Sequence, residues 1–144
     1  MAVADRVDHV RSFDPDQDRL SLLERSIDYN GYDNFTTYQT EVDSLDDYLD
    51  DGQPDIILMD IDGWEHEVIT SSPDTIAAEP IWLIELHTDQ PDVPDEKLNP
   101  HEVVEHLQNH GYETEEFAHR GSYDPFGRER DDLNAWHVLA TPTE

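Results

Sequence analysis

Cysteine is absent, which removes disulfides and thiolate metal sites from consideration. Lysine is nearly absent: Lys97 stands alone, and lysine and arginine together number 8. So few cations cannot assemble a basic patch, so no nucleic-acid partner is expected. No apolar run approaches the roughly 20 residues that a membrane helix needs. Met1–Val10 lacks the basic and apolar blocks of a signal peptide. A cytoplasmic protein without a membrane partner is the expectation. Internal repeats, linkers and low-complexity segments are also lacking. The 144 residues suit one domain, 1–144, with enough chain to enclose a hydrophobic core.

What is abundant is negative charge. Thirty-six carboxylates face those 8 cations, for a formal net charge of −28. A disordered acidic tail would gather its acids in blocks and lack apolar runs. Here acids are spread along the chain and alternate with compact apolar segments. A mimic of DNA would also be acidic. Adaptation to multimolar salt fits better: carboxylates keep a surface hydrated, salt screens their repulsion, and long lysine stems disappear. The cost is self-repulsion when salt is withdrawn.

Strands and helices alternate in the pattern. A strand is predicted over His9–Phe13, followed by a helix that Asp14 caps and Pro15 enters, with Leu20, Leu23 and Ile27 inward. Gly31 ends that helix. A second strand covers Phe35–Thr40, and Ser44 caps a helical turn through Leu49. The run Ile56–Met59 predicts a strand buried on both faces. Asp62-Gly63 forms a turn into a helix over Trp64–Ile69. Ile81–Ile84 is a further buried strand, and Thr88–Asn99 a loop. Pro100 starts a helix with Val103, Val104 and Leu107 inward, ending at Gly111. Tyr112–Phe117 and Ala135–Ala140 are strands, joined by a charged loop over His119–Asp132. The alternation predicts a doubly wound, mostly parallel α/β sheet ending in a C-terminal antiparallel hairpin.

In such sheets, ligands bind at the carboxyl ends of the strands. Asp14 can accept hydrogen bonds from ribose hydroxyls there, or cap the helix that follows. Asp60 comes after four apolar residues, where an unpaired carboxylate is costly. Asp62 would share its face if the strand persisted, or cap the next helix. Gly63 permits a sharp turn or the close approach of a ligand. Glu65 reads as first-turn charge that complements the helix dipole. Glu85 and His87 follow the Ile81–Ile84 run and point to one face. If the two strands are neighbours, Asp60, Glu85 and His87 converge. The set could bind a hard divalent cation, supply a general base, or form a satisfied polar network. His101, His106 and His110 lie on or beside one helix and read as surface histidines. Trp136 reads as core, with His137 at a strand end.

In this order the segments resemble the FkbM family of S-adenosylmethionine-dependent methyltransferases. SFDPDQDRLSLLERSIDYNGYDNFTTY resembles that family's second strand, acidic-Pro turn, helix and third strand. SLDDYLDD resembles the Leu-Asp-Asp segment before the fourth strand. LMDIDGWEHEVI resembles the block Lys-x-Asp-x-Glu-Gly-x-Glu, with Asp60, Asp62, Gly63 and Glu65 in the matching places and Leu58 where the lysine stands. IELH resembles the Glu-x-His after the fifth strand, and HLQNHGYET the late helix before the sixth. The likeness spans roughly residues 10–140.

The resemblance implies a Rossmann-like class I fold and methyl transfer from S-adenosylmethionine to a hydroxyl of a sugar or another small-molecule or glycan acceptor. Asp14 would hold the cofactor ribose, with Asp62 and Gly63 as further cofactor-binding candidates. Asp60, Glu85 and His87 would be the catalytic candidates. The family's first strand and glycine-rich loop are expected before Val10, yet Met1–Val10 contains no glycine. The resemblance therefore implies a first strand missing at the sheet's centre, to be supplied by a partner chain, by a second copy as a homo-oligomer, or by an N-terminal segment upstream of Met1. Two other readings are a degenerate interaction subunit and a metal-binding or metal-dependent hydrolase domain using Asp60, Glu85 and His87.

Overall fold

The computed structural model describes residues 4–118 and 135–143. The expected loop over His119–Asp132 lies outside the described residues. The chain divides into two compact units, Met1–Val42 and Asp43–Glu144.

The N-terminal unit is a strand–helix–strand motif. Strand β1 (Val10–Phe13) pairs in parallel with β2 (Phe35–Tyr38), and α1 (Gln17–Asn30) connects them. Leu20 and Ile27 are buried, and Leu23 half-buried. Gly31 closes the helix in the left-handed conformation, φ 70°, as expected. The helix starts later than expected. Asp16, not Asp14, is the cap: its carboxylate accepts the N–H groups of Asp18 and Arg19 at 2.8 and 3.1 Å. The Asp14 carboxylate instead accepts the N–H of Asp16 at 2.8 Å, so the chain completes a side-chain turn across Pro15 before the helix begins.

The second unit is a four-stranded sheet in the order β3-β4-β6-β5. Strand β3 (Ile56–Met59) runs parallel to β4 (Ile81–His87), in register Ile56–Ile81 to Met59–Ile84. Strand β6 (Ala135–Pro142) inserts antiparallel between β4 and β5 (Tyr112–Ala118), so the expected C-terminal hairpin is present. Three helices follow in chain order: α2 (Glu65–Thr70), α3 (Pro73–Ala77) and α4 (Pro100–Asn109). Trp82, Ile84, Leu86, Trp136 and Val138 of the sheet form the core with Val68, Ile69, Val103 and Leu107 of the helices.

Ser44 caps a 3-10 turn over Leu45–Asp51, as expected. Helix α3 was not read from the sequence, because its cap comes from far away. The Asp46 carboxylate accepts the N–H of Asp74 at 3.0 Å and both the N–H and hydroxyl of Thr75 at 2.7 Å.

One core expectation is corrected. Strand β3 is not buried on both faces: Ile56 and Leu58 are 63% and 74% exposed. Among the described residues the strand is a sheet edge, hydrogen-bonded only to β4. Its Ile56–Leu58 face lies opposite the one that carries Met59 into the core.

Candidate functional site

Strands β3 and β4 are neighbours, so the polar residues that follow their apolar runs meet at one end of the sheet. Asp60 leaves β3 directly after Met59, and Glu85 and His87 occupy the last turns of the pleat in β4. The chain then turns back through two consecutive positive-φ residues, Asp62 (φ 54°) and Gly63 (φ 102°). Asp62 therefore does not cap α2. The cap position falls to Trp64, which makes no capping side-chain bond.

Gly63 is glycine for packing as well as for conformation. A Cβ there would lie 2.8 Å from Leu98 Cδ2 and 3.2 Å from Val93 Cγ2. The close approach expected of a ligand at Gly63 is made by the chain's own loop. The sole lysine helps to hold that loop, since Lys97 Nζ pairs with Glu67 on α2.

The residue that organises the site is Glu65, and its role was missed in the sequence. It is 3% exposed, so it is not a surface charge complementing a helix dipole. Its Oε1 accepts the N–H of Gly63 at 3.0 Å and faces His87 Nδ1 at 2.9 Å. An ionised carboxylate only accepts, so Nδ1 carries the proton. In its neutral form His87 is thereby fixed in the tautomer that turns the Nε2 lone pair outward.

His87 Nε2 lies 4.0 Å from Asp60 Oδ1 and 4.0 Å from Asp62 Oδ1. The three donor atoms all fall within 4.8 Å of one another. Glu85 is on the same face but turns toward β6, where His137 Nε2 is 3.6 Å from its carboxylate. Asp60, Asp62 and His87 thus bring donor atoms together, and Glu85 stands beside them with its charge acting on both Asp60 and His87. Electrostatics reflect the crowding of acids. The hydrogen bond to Glu65 raises the His87 pKa against the opposing effect of burial, and the charges of Glu65, Glu85 and Asp60 add to the rise. Partial burial and then the Glu85 charge push the Asp60 carboxyl above its usual range.

Asp14 belongs to the other unit, at the carboxyl end of β1. Its Oδ2 lies 3.5 Å from Arg19 Nε, and its side chain is 27% exposed. The helix histidines stay apart from the trio. His110 Nδ1 contacts the His106 carbonyl at 2.7 Å, with the two rings 4.3 Å apart. No helix among the described residues is long and apolar enough to cross a membrane.

No curated protein matches this sequence. Solved structures with the same architecture include an rRNA methylase from Streptococcus thermophilus, at 12% identity and TM-score 0.61, covering 99% of this chain and 78% of that one. A precorrin-6y C5,15-methyltransferase from Geobacter metallireducens aligns at 16% identity and TM-score 0.56, over 94% of this chain and 67% of its own. A precorrin 8w decarboxylase from Methanobacterium thermoautotrophicum aligns at 18% and 0.55, over 99% and 74%. These likenesses establish a Rossmann-like methyltransferase fold. The profile of the methyltransferase FkbM domain matches residues 5–114. With a match over most of its length, the chain belongs to the FkbM methyltransferase family.

Proposed function

We propose that this domain transfers a methyl group from S-adenosylmethionine to a hydroxyl of a sugar or other small-molecule acceptor. The observation that carries the reading is the buried Glu65–His87 pair, which turns Nε2 outward toward Asp60 and Asp62 beyond the ends of β3 and β4. Strand ends are where this architecture binds its ligands.

The residues fit the cofactor at the ribose. Asp14 uses one oxygen to accept the Asp16 N–H and faces Arg19 Nε at 3.5 Å with the other. An ionised carboxylate has about four lone-pair sites, so acceptor capacity remains for a pair of ribose hydroxyls. When bound, S-adenosylmethionine supplies an electrophilic methyl carbon; an O–C bond forms, the C–S bond breaks, and the acceptor hydroxyl loses its proton. The protein's task at Asp60, Asp62 and His87 is to hold that hydroxyl and draw off the proton. Positioning of this kind contributes much of the rate in displacement reactions. Gly63 supports the site by leaving room for Leu98 and Val93 to pack against the turn.

The test is methyl transfer from labelled S-adenosylmethionine to a panel of sugars and hydroxylated small molecules in molar KCl. Label in an ether product, reduced about 100-fold or more in Asp60→Asn and in His87→Gln, is expected from the loss of a proton-handling group. Label transfer that both variants leave intact would contradict the assignment of these residues.

A further inference from the structure

The geometry points to a divalent-cation site formed by Asp60, Asp62 and His87. One oxygen of each aspartate and Nε2 of His87 lie within 4.8 Å of one another. Bonds of about 2.0–2.2 Å to a shared cation would bring neighbouring donors to about 3 Å apart. The aspartate side chains are 55% and 73% exposed, so rotation about their own bonds can close the remaining gap.

Acids crowd the whole sequence, and two carboxylates alone would indicate nothing. His87 supplies the independent observation. Its side chain is 8% exposed, and its Nε2 is aimed between the two carboxylates at 4.0 Å from each, too far for a hydrogen bond. Behind it, Glu65 holds Nδ1 at 2.9 Å. A carboxylate on the far nitrogen is the usual support of a metal-bound imidazole: it fixes the tautomer and raises the basicity of the ligating nitrogen. Two carboxylates with one imidazole suit Mn2+, Fe2+ or Zn2+ better than Ca2+, which takes an all-oxygen shell. Three protein ligands leave further coordination positions open toward solvent. The acceptor oxygen would take one of them, a role that rests on the methyl-transfer reading. Cation binding itself does not.

The test is Mn2+ titration of the full chain followed by electron paramagnetic resonance, in molar KCl to screen diffuse counterion uptake. One saturable site per chain is expected. Asp60→Asn and Asp62→Asn each weaken it at least about tenfold, and Glu65→Gln roughly 10–100-fold as an outer partner of the ligand. Glu113→Gln, an exposed acid on β5, leaves it unchanged. Asparagine is isosteric at positions 60 and 62 and tolerates the left-handed backbone at 62. Near-ultraviolet circular dichroism checks that each variant is folded. Non-saturating uptake, or a site that survives both asparagine variants, would overturn the proposal. Since the titration uses neither cofactor nor acceptor, its failure and the failure of methyl transfer are separately visible.

Discussion

At the scale of single residues, Glu65 and Gly63 hold the turn at the site together. Glu65 is the one acceptor for two groups, the Gly63 N–H and the His87 ring. Glu65→Ala leaves both facing an empty space, at a cost of about 1–3 kcal/mol for each buried donor left unsatisfied. Urea unfolding in molar KCl should show that loss, with Glu65→Gln milder because an amide oxygen in the place of Oε1 can still accept from both, without the charge. Gly63→Ala meets two obstacles at once: φ is 102°, and the new Cβ would press on Leu98 Cδ2 at 2.8 Å. Overpacking of this kind costs about 1–3 kcal/mol. A thermal midpoint unchanged from the wild type would show that the loop yields freely and that Gly63 is not a packing residue.

At the scale of elements, two caps decide where helices begin. Helix α3 depends on Asp46, 28 residues away, whose carboxylate accepts three hydrogen bonds from Asp74 and Thr75. Asp46→Ala should destabilise the protein by about 1 kcal/mol, measured by urea unfolding. Helix α1 depends on Asp16. The N–H groups of Arg19 and Asp18 hold its carboxyl below the 3.8 of an ordinary aspartate. A value lowered by folding means the cap stabilises above the unfolded-state pKa and fades as pH falls through the folded one. The stability gap between the wild type and Asp16→Ala should therefore be open at neutral pH and close below 3.8. A gap independent of pH would exclude a charged cap.

These same elements show what can be read from sequence and what cannot. The Gly31 stop, the Ser44 cap, the Val103–Leu107 face and the antiparallel hairpin depend on neighbours in the chain or on simple periodicity, and all are found. The α1 start was shifted because two aspartates flank Pro15, and local pattern does not choose between them. Helix α3 and the burial of Glu65 depend on partners more than 20 residues distant. The exposure of Ile56 and Leu58 depends on which strand takes the edge of the sheet, and an apolar run does not record that.

At the scale of the whole molecule, charge and edges govern behaviour. A net charge of −28 on 144 residues is strongly self-repelling when the screening length is about 30 Å, in 0.01 M salt, and much less so at about 3 Å, in 1 M salt. We propose that the protein is built for multimolar salt. Its thermal midpoint should rise steeply with KCl, and a midpoint insensitive to salt would contradict that. Strand β3 presents an unpaired edge in the described sheet, with Ile56 and Leu58 exposed beside it. Open edges of this kind invite pairing. Sedimentation in the same salt should show a species larger than one chain, and a monomer at all concentrations would argue against a shared strand.

The proposed function requires that this FkbM-family chain bind S-adenosylmethionine. Calorimetric titration with S-adenosylmethionine, in multimolar KCl, tests it most directly. Saturable binding that Asp14→Ala weakens is the predicted result, because the ribose would lose its carboxylate. A folded sample that takes up no heat of binding would contradict the claim and leave the fold without its cofactor.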